Sequence, residues 1–197
     1  ADAFSDWAVL DAEQMGQIYY VNAATGDDAR SLTEAQNPAT PWKTISKAAN
    51  SVPAGSVDYT RTISVAAGTY NVANGEIFPI AFYNDYIRVT GAGATSTIIT
   101  PEDSGLLRDT LQIRATGITV DGFTVRTHSG VGRSAIVVTA GGGIVINDNT
   151  LVSQSEDGNA IWIDIFETLN GDPFETLPIV IAGNAFTSPT GYDGIRL

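Results

Sequence analysis

Short runs in which apolar and polar residues alternate return along this chain. Ile118-Thr119-Val120-Asp121-Gly122-Phe123-Thr124-Val125, Ile144-Val145-Ile146-Asn147-Asp148-Asn149-Thr150-Leu151 and Ile179-Val180-Ile181-Ala182-Gly183-Asn184-Ala185-Phe186 share one form. Each is an apolar-x-apolar strand, a polar or glycine corner, and a second short strand. Aligned on Val120, Ile146 and Ile181, the copies lie 26 and 35 residues apart. Ile63-Ser64-Val65 and Ile87-Arg88-Val89 fit the same role, with Val65 set against Val89 at a spacing of 24 and Val89 against Val120 at 31. Repeats of this size predict a solenoid whose coils differ in their outward loops.

A further strand family precedes the corner unit: Leu111-Gln112-Ile113, Ile136-Val137-Val138, Ile161-Trp162-Ile163 and Ile195-Arg196-Leu197. Alternation sends the first and third residues of each inward, where Leu, Ile and Val can stack coil on coil. The corners carry Asn, Asp and Gly, which tolerate left-handed backbone. Asn149 and Asn184 occupy equivalent corner positions, and Phe123 holds that place one coil earlier. Short alternating strands also suit a sandwich, but registered recurrence of the whole unit favours an all-β parallel β-helix of about five coils. Gly91-Ala92-Gly93-Ala94-Thr95 lacks the lysine and following helix of a phosphate loop and reads as a coil corner; Gly141-Gly142-Gly143 reads as a tight turn.

The start of the chain has a different pattern. A short helix is expected near Trp7–Gln14, a strand at Ile18–Asn22, and a polar, mobile loop through Asp27-Asp28 to Pro41. Ile45, Ala48, Ala49 and Val52 then recur at helical spacing, with Thr44 as N-cap and Pro53-Ala54-Gly55 as the stop. An amphipathic helix placed just before the first coil is the expected cover for the solenoid's open end. The organisation predicted is an N-terminal extension (1–17), a strand, loop and capping helix (18–56), and coils over 57–197, the last of them incomplete and without a cap. Glu167–Pro178 is expected to be an outward loop that lengthens one coil.

Charge and composition narrow the partners. The 197 residues are 43% apolar, enough for one core, and no apolar run is long enough to span a bilayer. A net charge of −12, with Lys43 and Lys47 the only lysines, argues against nucleic acid and anionic lipid as partners. The absence of cysteine removes thiol chemistry and thiolate zinc, and the single histidine, His128, excludes a histidine-rich metal centre.

Tyr20-Val21-Asn22, Gly26-Asp27-Asp28, Pro38, Pro41-Trp42-Lys43-Thr44-Ile45, Lys47-Ala48 and Val65-Ala66-Ala67-Gly68-Thr69-Tyr70 together resemble the N-terminal signature of secreted right-handed β-helix proteins of the pectate-lyase-like superfamily. The signature covers residues 18–70, with Ala67 where a proline is usual. The resemblance implies a right-handed coil and an extracellular or cell-surface location. Activity is left open, because the superfamily includes lyases, hydrolases, epimerases, tailspikes, adhesins and proteins without known chemistry.

Candidate chemistry follows from the outward residues of the second strand family. Gln112, Val137, Trp162 and Arg196 should form one column, and Arg114, Thr139 and Asp164 the next. With coils about 4.8 Å apart, Arg114 and Asp164 would stand about 10 Å apart. Trp162 offers a face on which a sugar can stack, with Gln112, Arg196 and Tyr192 beside it as polar contacts. Superfamily members that cleave uronates use a basic side chain near the reacting carbon and a carboxylate-bound calcium ion. Arg114, Arg126, Arg133 and Arg196 are the basic candidates here; Asp164 and Asp193 are the carboxylates, and the calcium ligands to suggest. No cofactor is required. A hydrolase would need two facing carboxylates, for which Asp157, Asp164 and Asp193 are available, but no complete acidic cluster stands out. The reading is therefore a polysaccharide-binding β-helix, with processing as a lyase or glycoside hydrolase left open. Its rival is a structural, fibre-forming or adhesin module that joins copies of itself, or the rest of a longer chain, through its open coil end.

Overall fold

A computed structural model of the protein describes residues 16–101, 109–128, 133–154, 158–164, 177–188 and 194–197. The chain winds through three parallel sheets in strict rotation. A first strand, β1 (Ile18–Val21), precedes the coils. The first coil is β2 (Arg61–Val65), β3 (Gly68–Tyr70) and β4 (Ile80–Phe82); the second is β5 (Ile87–Gly91), β6 (Thr97–Ile99) and β7 (Leu111–Arg114). The third is β8 (Thr119–Asp121), β9 (Thr124–Arg126) and β10 (Ile136–Ala140); the fourth is β11 (Val145–Asn147), β12 (Thr150–Val152) and β13 (Ile161–Ile163). The fifth is β14 (Val180–Ala182), β15 (Ala185–Thr187) and β16 (Ile195–Arg196). Sheet 1 runs β1-β2-β5-β8-β11-β14, sheet 2 β3-β6-β9-β12-β15, and sheet 3 β4-β7-β10-β13-β16. Every pairing is parallel between successive coils, which makes the fold a parallel β-helix, as the repeat predicted.

Stacked inward side chains form the core. Ile63, Val89, Val120 and Ile146 follow one another in sheet 1 and are buried; Phe82, Ile113 and Val138 do the same in sheet 3. Register corrects one expectation. Ile63, not Val65, stands opposite Val89, while Val65 meets Gly91. A slip of two residues preserves which side chains face inward, so alternation alone does not detect it.

The corners between sheets 1 and 2 are bonded from coil to coil. The middle residue of each later corner has a positive φ: Gly122 at 77°, Asp148 at 56° and Gly183 at 65°. In the last two corners the asparagine that follows binds the preceding coil. Asn149 Oδ1 accepts from Phe123 N, and Asn149 Nδ2 donates to Val120 O and Asn147 O. Asn184 repeats the move, its Oδ1 accepting from Asn149 N and its Nδ2 donating to Ile146 O. The Gly91–Thr95 stretch is indeed a corner, between β5 and β6, and Gly141–Gly143 turns β10 into β11.

A helix covers the first coil. Helix α1 (Ile45–Ser51) has Thr44 as its N-cap, accepting from Lys47 N, and buries Ile45, Ala48, Ala49 and Val52. Two distant carboxylates complete this cap. Asp28 accepts from Lys43 N, Thr44 N and Thr44 Oγ1; Glu76 accepts from Ile45 N at 2.6 Å and Ser46 N at 2.9 Å. The loop expected to be mobile is instead tied down. It contains a 3₁₀ turn (Glu34–Gln36), and Trp42 stacks on Tyr19 with ring centroids 5.9 Å apart while its indole N–H donates to Arg30 O. The helix expected near Trp7–Gln14 and most of the expected Glu167–Pro178 loop lie outside the described residues.

Candidate functional site: the outer face of sheet 3

Parallel pairing at constant register turns sequence neighbours into columns. Gln112, Val137, Trp162 and Arg196 stand opposite one another on β7, β10, β13 and β16, as expected, and Ala81 of β4 extends the column by one coil. Trp162 is half-buried, and the Arg196 guanidinium lies over its ring, 6.0 Å from the centroid. Both are held by the backbone, because Trp162 pairs with Arg196 directly across the last strand step.

The second column departs from expectation. The register shifts between Val138 and Ala140, so Arg114 stands opposite Ala140 and Thr139 is displaced from the row. The bulge is a local extra residue, which re-aims side chains where it occurs. Asp164 follows β13, its N–H donating to Val138 O at 2.8 Å.

One site residue escaped the sequence reading. Tyr83, 56% exposed, follows β4, and the Arg114 guanidinium lies 5.8 Å from its ring centroid. The signal was present: the 31 residues from Val89 to Val120 also separate Phe82 from Ile113, its partner, and Tyr83 from Arg114. The face thus carries two arginine–aromatic pairs, Tyr83–Arg114 near the capped end and Trp162–Arg196 near the last coil. Three strand steps separate Tyr83's strand from Trp162's, about 14 Å at the usual inter-strand spacing. Each pair joins an apolar ring face to a fork of donors, the combination that grips sugar rings by stacking and hydroxyls by hydrogen bonding.

The catalytic candidates do not gather at one point. Arg114 and Asp164 lie at the downstream ends of sheet 3 strands, Arg126 ends β9 on sheet 2, and Arg133 lies at the corner leading into β10. Tyr192, Asp193 and Asp157 lie outside the described residues, so the calcium pair and any second carboxylate drawn from them do too. Among the described residues no three His, Asp or Glu side chains come together. The ion pair present among them is on sheet 1, where Arg88 Nε meets Asp121 Oδ2 at 2.9 Å and Thr90 Oγ1 donates to Asp121 Oδ1. No helix among the described residues is long and apolar enough to cross a membrane.

With coils, cap helix and N-terminal signature in place, the protein is a pectate-lyase-like parallel β-helix. The family model described as "Protein of unknown function (DUF1565)" matches residues 24–196, and the chain belongs to that family. Among solved structures it is similar to a pectin methylesterase mutant in complex with a hexasaccharide. The two are 14% identical with a TM-score of 0.49, and the alignment covers 87% of this chain and 66% of that one. Curated proteins offer no match.

Proposed function

We propose that this β-helix binds a polysaccharide outside the cell, along the outer face of sheet 3. The observation that carries the reading is the outward Trp162 with Arg196 over its ring, matched at the other end of the face by Tyr83 and Arg114. Stacking needs a ring that is reachable yet rigid, and a half-buried Trp162 on a paired strand meets both needs. The charge of −12 suits a protein that stays soluble without nucleic-acid partners. Binding is the activity proposed; chemistry on the bound chain, by a lyase or glycoside hydrolase route, would require further groups beside Arg114 and Asp164. A glycan array paired with an absorbance assay for unsaturated uronates tests both levels. Binding without absorbance gain is the expected result, and a blank array would refute the reading.

The second reading is self-association through the last coil. It is supported by Val180 (42% exposed), Phe186 (43%) and Ile195 (41%), apolar residues of β14, β15 and β16. Sedimentation across a wide concentration range tests it: growth of the assembled species with concentration is expected, and a constant monomer would exclude it.

A further inference from the structure

Two asparagine–glycine pairs occur in the chain, Asn74-Gly75 and Asn170-Gly171, and the second lies outside the described residues. An asparagine before glycine can lose its amide without an enzyme, because glycine has no side chain to shield its nitrogen. Asn74-Gly75 lies in the connection between β3 and β4. Asn74 is half-buried and Gly75 exposed, so water reaches the pair.

The reaction is balanced without a co-reactant beyond water. Gly75 N, deprotonated by hydroxide, attacks Asn74 Cγ. The new N–Cγ bond closes a cyclic imide, and Nδ2 leaves with a proton as ammonia. Water then opens the ring at either carbonyl. One opening gives aspartate; the other gives isoaspartate, whose backbone is longer by a methylene.

Both reacting groups are engaged elsewhere in the fold. Val72–Asn74 is a 3₁₀ turn with Asn71 as N-cap, its Oδ1 accepting from Asn74 N at 3.0 Å. Gly75 N donates to Val72 O at 2.9 Å, and Asn74 Nδ2 donates to Thr69 O at 2.8 Å. Gly75 closes the turn at φ 100° and ψ 4°. Attack requires both bonds to break, so the rate follows the population of the opened loop.

The same connection carries Glu76 to the cap. Glu76 N donates to Asn71 O at 3.0 Å, while its carboxylate accepts from Ile45 N and Ser46 N of α1. Ile77 N donates to Ser46 Oγ at 3.3 Å. A Cβ added at Gly75 would lie 3.5 Å from Cγ2 of Thr44, the N-cap of α1. An extra methylene or a new carboxylate at position 74 therefore acts two residues from the group that holds the helix.

We propose that Asn74 is a spontaneous deamidation site, shut while the 3₁₀ turn is closed, whose conversion loosens helix α1 over the first coil. The capped end thus undergoes a one-way change with age, timed by how often this loop opens.

The test is peptide mapping by mass spectrometry of the whole protein aged near neutral pH, folded and in urea, with isoaspartate scored by enzymatic methylation. In urea Asn74 and Asn170 should react alike. In the folded protein Asn74 should react about 5- to 150-fold more slowly, the effect of two hydrogen bonds. Asn71→Ala removes the N-cap without touching Glu76 and should speed the folded reaction about 2- to 30-fold. Asn74→Gln should abolish the mass change in this peptide. Hydrogen exchange reads the effect on the cap: in aged protein, and in Asn74→Asp, the amides of Ile45 and Ser46 should exchange faster, while those of β8 and β11 stay as they were. No reaction of Asn74 in urea would overturn the site. Equal rates in the folded and unfolded chain would overturn the control by the turn, a comparison that stands even if Asn71→Ala fails to fold. Isoaspartate that accumulates with unchanged exchange at Ile45 and Ser46 would overturn the link to the cap.

Discussion

Asn184 holds Asn149 from the neighbouring coil: its Oδ1 accepts both the backbone N–H of Asn149, at 3.0 Å, and the side-chain Nδ2, at 3.1 Å. Asn149 in turn caps Phe123 N. The corners are thus linked in series, and the link falls where Asp148 and Gly183 take positive φ. Asn149 is 2% exposed, so Asn149→Ala would abandon a buried N–H and two carbonyls, at about 1–3 kcal/mol for each group left unpaired. We expect urea unfolding to show a loss of more than about 2 kcal/mol, and a smaller one for the half-buried Asn184→Ala.

Gly122→Ala should be costly for a different reason. Its φ of 77° disfavours any side chain, and a Cβ there would meet Gly91 O at 2.8 Å. Strained backbone of this kind costs about 1–3 kcal/mol. A thermal midpoint equal to that of the unaltered protein would show that the corner relaxes freely.

The cap gives a third expectation. Ile45 is fully buried under the first coil, so Ile45→Asp would place an unpaired charge in the core and cost several kcal/mol. A large fall in the thermal midpoint is predicted.

Glu76 adds a pH dependence. Burial, the main cause, pushes its carboxyl above the ordinary value of 4.5 despite the Ser46 and Ile45 hydrogen bonds, and nearby Asp28 pushes the same way. A folded value above the unfolded one means that the native state holds the proton more tightly. The stability this contributes is full below about pH 4.5 and is lost as pH rises through the raised value. Glu76→Gln is the isostere of the protonated carboxyl, so near pH 4 it should change stability by less than about 1 kcal/mol. Measured by denaturant titration, the stability of the unaltered protein relative to Glu76→Gln should fall from pH 4 toward neutrality.

Coils were legible in the sequence wherever their inward residues are aliphatic, as in Leu111-Gln112-Ile113 and Ile161-Trp162-Ile163, and there the outward column was right to the residue. The sheet 2 strands of the earlier coils were hidden. β3 begins with glycine, and β6 turns Thr97 inward, fully buried, so polarity no longer marks the outer face. The bulge in β10 has no signature in residue type, which is why Thr139 was misplaced. Thr44 was readable as a cap because capping is local. Glu76 was not, since it lies 31 residues from the Ile45 N–H it serves and only the fold joins them.

Trp162 carries the proposed binding face of sheet 3. Titration of the protein and of Trp162→Ala with a polysaccharide that binds the unaltered chain should show a loss of about 1–2 kcal/mol, roughly 5- to 30-fold in Kd. Stability should move by less than about 1 kcal/mol, because Trp162 lies on the outer face and its contact with Arg196 is exposed. Equal affinity for the two proteins, or an unfolding midpoint that collapses while affinity per folded molecule is kept, would contradict a sugar-binding face on sheet 3.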